Sequence, residues 1–266
     1  MMRKTPSKSR GKRLISREDN APPRQHVPTA ELPFRVLFRS NRLLVIDKPA
    51  GLPVHPSRTS SGPSVEDWFP LMSRRSDGPW LVHRLDQDTA GCLAIALRKQ
   101  ALIGLQAGMS DGAVHKTYWA VVQGRPAGDS GEVNAPLLRT EQGRRWRMSV
   151  SPKGESARTR WRVKGHCAKR NLSWLELELL TGRTHQIRAH CAFLGVPVYG
   201  DSVYGDQTGT APMHLLAQRW CAVDGETSID AVAPVPEHMQ AAMRACGWSE
   251  RDSVETDGPL LTVQGK

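Results

Sequence analysis

The chain has 266 residues, 39% of them hydrophobic, with 37 lysines and arginines against 26 aspartates and glutamates, a net charge of +11 and a sequence pI near 9.9. That length and apolar content suffice for one large or two small domains with a sizeable core, and no run of about 18 apolar residues is present to make a membrane-spanning helix. The charge points to a polyanionic partner or to a basic solvated surface, and charge alone does not choose between them.

Residues 1–30 stand apart in composition. Eight lysines and arginines face only Glu18 and Asp19, and Pro22, Pro23 and Pro28 interrupt any helix. So little apolar surface cannot repay ordering, and disorder is expected. The segment lacks the apolar stretch of a secretory signal and reads either as an arm that meets phosphates or as an idle tail. Order is expected from about Phe34. FRVLFRSNRLLVIDKPAG predicts two short strands around a turn at Ser40-Asn41. Gly51 to Ser64 reads as loop, with Pro53, Pro56, Gly62 and Pro63. Val65 to Arg75 predicts a short helix, Cys92 to Leu97 a buried strand, and Lys99 to Met109 a helix. Lys116 to Gly124 reads as a strand. Leu172 to Leu180 alternates apolar and polar residues with the period of a half-exposed strand. Thr184 to Leu194 predicts a helix ended by Gly195 and Pro197, Glu237 to Ala245 a late one, and about 250–266 a loose tail. Strands and helices that do not alternate regularly indicate an α+β fold.

Five cysteines, Cys92, Cys167, Cys191, Cys221 and Cys246, are scattered without a CxxC pair. That usage fits reduced thiols in a cytosolic protein, with Cys92 and Cys191 as small core fillers.

Three segments carry chemistry. HRLDQDTAG (83–91) places Asp86 in a charged, glycine-ended loop tied to the apolar run Cys92–Leu97, a rigid way to present a side chain. An ordinary aspartate is ionised at neutral pH and can serve as nucleophile or base; it can equally cap a turn. TGRTHQIRAHCAFLGVPVYGDSVYG (181–205) supplies Arg183 and Arg188, either able to fork a carboxylate. His185 and His190 in the same stretch are five apart, the wrong spacing for one helical face, and read as scaffold or as contacts to the polyanionic partner, with no metal site. The segment 144–163 interleaves arginines with Trp146 and Trp161. It reads either as a phosphate-binding groove wall or as a two-stranded β segment with a basic face.

These stretches, with KPAGLPVH (48–55), KTYWAVVQG (116–124) and MHLLAQRW (213–220), resemble the RluA family of RNA pseudouridine synthases over roughly residues 34–245. The resemblance implies an α+β pseudouridine synthase fold with a mixed, mostly antiparallel central sheet and an RNA-binding cleft. It divides the chain into a basic arm (1–30), a catalytic domain (31–250) and a loose tail (251–266). It implies isomerisation of uridine to pseudouridine in ribosomal or transfer RNA, without a cofactor, on a base swung out of its stack. Asp86 takes the catalytic position, as nucleophile at C1′ or as base for the 2′ proton. Arg84 would fill the gap that the base leaves, and Tyr118 would lie against the uracil, with Trp119 pointing to the other face of its strand. Arg183 is taken as the partner of Asp86, with Arg188 as the alternative, and Leu215 as the apolar residue beneath the base. A monomer follows from the same resemblance, and the cytoplasm from the cysteine usage. Two positions depart from the family pattern: Ala90 stands where a serine is usual, and Leu216 where most relatives have a histidine. A catalytically idle RNA-binding protein on the same fold is the other reading, and a hydrolase lacks the second carboxylate that glycosidases use.

Overall fold

The computed structural model describes residues 31–56, 62–142, 145–205 and 210–253. The expected arm, residues 1–30, and the end of the expected tail, 254–266, lie outside them. Strands β1 (Val36–Arg39) and β2 (Leu43–Lys48) come first and pair antiparallel. A short turn of 3-10 helix (Val65–Trp68) runs into α1 (Phe69–Met72), after which β3 (Trp80–Leu81) leads to β4 (Ala90–Ala96) and α2 (Lys99–Ser110). Strands β5 (His115–Gln123), β6 (Ser130–Asn134), β7 (Leu137–Gln142), β8 (Arg145–Val150), β9 (Arg158–Cys167) and β10 (Leu172–Leu179) follow. The chain then forms α3 (Gln186–Phe193), β11 (Leu215–Asp224), β12 (Thr227–Val232) and α4 (Glu237–Ala245).

One ten-stranded sheet runs in the order β1-β2-β4-β11-β5-β10-β9-β6, with β3 beside β4 and β12 beside β11. Among the described strands every pairing is antiparallel except β4 with β11, which meet in parallel at Leu216↔Ala90 and Ala217↔Gly91. The fold is α+β, as expected from the irregular order of elements. Gly91 makes the parallel contact possible: it sits at φ +105°, and a Cβ there would run into the carbonyl of Ala217.

The sheet separates two apolar layers. On one side Leu44, Ile46, Leu93, Tyr118, Leu175, Leu177 and Leu215 pack with Ile187 of α3 and with Val65, Trp68 and Met72. On the other, Val45, Trp119, Trp174 and Leu216 pack with Ala101 and Leu105 of α2 and with Met239 and Met243 of α4. Tyr118 and Trp119 therefore face opposite layers, as strand alternation requires. β4 is buried at all seven positions, which explains its unbroken apolar run AGCLAIA.

The expectation of a half-exposed strand at 172–180 is corrected. β10 is buried over seven of eight residues, and Glu176 and Glu178 are only 4% and 6% exposed. Arg162 donates to Glu176 at 2.7 Å and Arg160 to Glu178 at 3.3 Å across the β9–β10 pairing, while His115 of β5 stands 3.5 Å from Glu178. Alternation reports which side a residue faces, and arginines from the neighbouring strand cover the polar side. The same contacts divide the basic segment. Arg158 and Arg160 also pair with Glu132, and Trp161 is buried in the core, so these residues bind the sheet together and do not form one groove wall. β8 pairs with β7 as a separate hairpin, not with β9. Arg144 lies outside the described residues.

Candidate active site

The loop 82–89, between β3 and β4, is held at several points. Leu85 is buried in the core, and the Thr89 N–H donates to the Asp86 carbonyl at 3.1 Å, closing a turn. The wholly buried Lys48 donates to the carbonyls of Pro49, Leu52 and Gln87 at 2.8, 2.8 and 2.9 Å. Three acceptors match the three N–H groups of an ammonium. Burial pulls its pKa down to about 7, against the nearby charges of Asp88, Asp86 and Asp47, which hold it up. The Gly51 N–H donates to the same Gln87 carbonyl at 2.9 Å. KPAGLPVH thus acts as a clip on the residue that follows Asp86.

The Asp86 side chain is 17% exposed, and it meets Arg188, not Arg183. Arg188 Nη1 donates to Asp86 Oδ2 at 3.1 Å, while its Nε and Nη2 donate to Asp201 at 2.7 and 2.9 Å. Burial works against the guanidinium charge, but hydrogen bonds and the charges of Asp201 and Asp86 outweigh it and raise its pKa. Asp201 is buried too, which opposes its charge; Arg188 and the N–H groups of Val203 and Tyr204 prevail and hold its pKa below the usual value. The assignment of Arg183 as partner is therefore corrected. Arg183 precedes α3, donates to the Ser156 carbonyl at 3.0 Å and pairs with Glu155. Arg188 lies inside α3, among its buried residues Gln186 to Cys191, and reaches Asp86 from there.

The start of α3 is fixed by Gln186, a buried amide with every group engaged. Its oxygen accepts from Thr181 Oγ1 and the Arg183 N–H, and its nitrogen donates to Arg158 O and Thr159 Oγ1. His185, just before it, adopts φ +51°, unusual for a residue with a side chain. That turn sets its Nε2 3.9 Å from Asp86 Oδ2 and its ring flat against Trp146 of the β7–β8 hairpin, 4.8 Å between centroids. Burial lowers its pKa in spite of Asp86, which raises it. Tyr204 OH accepts the Met148 N–H at 2.8 Å and lies 3.2 Å from His185 Nδ1. His190 instead joins Thr159 and the Ala135 carbonyl.

Two cavities flank Asp86. One, of about 490 Å³, is lined by Arg84, Asp86, Tyr118, Arg183 and Leu215 among others, so the structure brings all five residues singled out by sequence to one opening. Burial, and then the charge of Asp86, push the Tyr118 phenol above its ordinary pKa, so it is neutral at physiological pH. Leu215 is buried and Arg84 exposed. The other cavity, of about 580 Å³, is shared by Arg84, Asp86, His55 and Trp146. Sequence reasoning missed Lys48, Lys116, Asp201 and Tyr204. The signal for the last two was GDSVYG, which reads as a structural loop yet supplies the carboxylate that aims Arg188. Among the described residues no group of histidines, cysteines and carboxylates is placed to hold a metal ion.

The two departures from the family pattern are neighbours. Ala90 and Leu216 oppose each other in the parallel pairing and pack in the layer away from Tyr118 and Leu215.

The sequence profile described as RNA pseudouridylate synthase matches residues 42–193, more than half of the chain. An uncharacterised RNA pseudouridine synthase of Synechocystis sp. is 35% identical over 233 residues, 80% of this chain and 69% of the relative. Ribosomal large subunit pseudouridine synthase D of Xanthomonas campestris is 35% identical over 242 residues, 83% of this chain and 71% of the relative. Among solved structures, human RNA pseudouridylate synthase domain containing 1 aligns with a TM-score of 0.67 at 25% identity, covering 82% of this chain and 89% of that one.

Proposed function

We propose that this chain, which belongs to the RNA pseudouridylate synthase family, isomerises uridines of ribosomal or transfer RNA with Asp86 as the catalytic carboxylate. The observation that carries the reading is a partly exposed aspartate, aimed by a buried arginine, at the wall of a cavity that also presents Tyr118 and Leu215. A cavity of about 490 Å³ has room for a nucleobase but not for a duplex. The uridine therefore enters swung out of its stack, with Arg84 at the rim to take its place. Tyr118 offers a flat face and a neutral hydroxyl to the uracil, and Leu215 an apolar floor. Arg188, doubly bonded to Asp201, fixes Asp86 in one orientation so that it meets C1′ or the 2′ proton without rearranging. The base that leaves is the base that returns, so no cofactor is required. Unpaired thiols and an RNA substrate fit a cytoplasmic location.

RNA tritiated at uridine C5 tests the reading, since isomerisation releases that label and binding does not. Asp86→Asn should abolish release while RNA affinity stays within about a few-fold. Normal release by that variant would remove Asp86 from the chemistry, and RNA binding without release by the wild type would favour the idle binder.

A further inference from the structure

Lys116 lies on β5 two residues before Tyr118, so both project from the same face of the strand, and both line the cavity that holds Asp86. Its Nζ stands beside the TGRTHQIR loop, 3.7 Å from the point a Cβ on Gly182 would occupy. The other cations of this cavity are placed differently: Arg188 is engaged by Asp86 and Asp201, Arg183 by Glu155 and Ser156, and Arg84 is open to solvent. Lys116 has no hydrogen-bonding or ion-pair partner among the described residues. Burial alone lowers its pKa, whereas the charge of Asp86 acts on Lys48, Tyr118, His185 and Arg188. Lys116 thus reaches the opening that holds Asp86 from the strand face that carries Tyr118, against which the base would rest. A half-buried ammonium with no carboxylate bonded to it loses hydration without compensation. Such a group is explained by a negative charge that arrives with the substrate or arises during the reaction.

We propose that Lys116 is a further catalytic residue, the cation that receives the negative charge of the uracil as it detaches from C1′. The inference rests on the isomerase reading with Asp86. On either route the N1–C1′ bond breaks with its electron pair on N1, and uracil departs as a monoanion shared among N1, O2 and O4. Asp86 either forms an ester with C1′ or takes the C2′ proton. After the base turns, C5 bonds to C1′ as the ester breaks or the C2′ proton returns. C5 then loses its proton to water and N1 gains one, so no atom or electron is lost. A charge that exists only between the two bonds calls for a donor already in place, and Lys116 is on a rigid strand.

Lys116→Gln and Lys116→Arg, compared with the wild type, test this. In single-turnover tritium release, Lys116→Gln should be slower by about 10²-fold or more, RNA affinity should stay within a few-fold, and Lys116→Arg should recover part of the rate. Independently of turnover, the wild type should bind 5-nitrouracil, an anion at neutral pH, several-fold tighter than uracil. Asp86→Asn should keep that preference and Lys116→Gln should lose it. Three results overturn the proposal: unchanged turnover in Lys116→Gln, a fall in RNA affinity with an unchanged single-turnover rate (a phosphate contact), or equal binding of the two bases by the wild type. If the wild type releases no tritium, the isomerase reading fails, and the 5-nitrouracil preference still decides whether Lys116 meets an anionic base.

Discussion

Arg183 and Arg188 belong to one motif and do different work because their carboxylates differ in burial. Glu155, the partner of Arg183, is 72% exposed, whereas Asp201, the partner of Arg188, is fully buried. An exposed pair is worth about 0–1 kcal/mol, so Arg183→Gln should leave stability and turnover near those of the wild type. Arg188→Gln releases Asp86 from its orientation and leaves Asp201 buried and unpaired. It should lower kcat by about 10²-fold, the scale of a small misplacement of a reacting group. Equal effects of the two substitutions on kcat would refute the distinction. Asp201→Asn should cost about 3–5 kcal/mol in urea unfolding, as breaking a buried pair does. Its pH dependence has a defined sign. The folded-state pKa lies below the ordinary value, so the unfolded chain holds the proton more tightly. The stabilisation is present above about pH 5 and is lost as the pH falls through the folded-state value. Stability curves of Asp201→Asn and wild type should thus converge in acid; parallel curves would contradict the linkage.

At the scale of elements, the parallel contact between β4 and β11 brings Ala90 and Leu216 together outside the lining of the cavity. Where the family resemblance leads to the expectation of a serine and a histidine, Ala90 and Leu216 face each other and pack in the layer opposite Tyr118. Leu216 is fully buried, so Leu216→His alone buries an imidazole without a partner and should cost about 1–3 kcal/mol. Adding Ala90→Ser supplies a hydroxyl opposite and should recover part of that cost. A double-mutant cycle with coupling under about 0.5 kcal/mol would mean that the two positions are independent. The β7–β8 hairpin is the other informative element. It has its own pairing and touches the site through Trp146 on His185 and the Met148 N–H on Tyr204. Its basic residues are legible in the sequence, but its attachment is not. Nothing in the spacing between Trp146 and His185 announces a ring stack.

Over the whole molecule, the charge is unevenly placed. More than half of the net +11 comes from residues 1–30, while in the folded body arginines of β9 are paired with glutamates. Removing residues 1–30 should therefore weaken RNA binding and flatten its salt dependence, by about 0.7–0.9 in log–log slope for each phosphate that the truncated chain no longer neutralises. A slope that does not change on truncation would make the segment idle. The ten-stranded sheet carries both apolar layers, so the loop bearing Asp86, the strand bearing Tyr118 and the helix bearing Arg188 share one rigid support.

Local periodicity and contiguous motifs are written along the chain, and they were enough to specify the α+β class, the four α-helices, five of the twelve strands, and the residues that gather at one cavity. Folding in three dimensions settled which arginine holds Asp86, that Asp201 holds that arginine, that the polar side of β10 is buried, and that Lys116 has no ion-pair partner among the described residues. Each of these depends on the direction of a side chain toward an element distant in sequence. Directions of that kind are set by packing across the sheet, and the one-dimensional order of residues carries no measure of it.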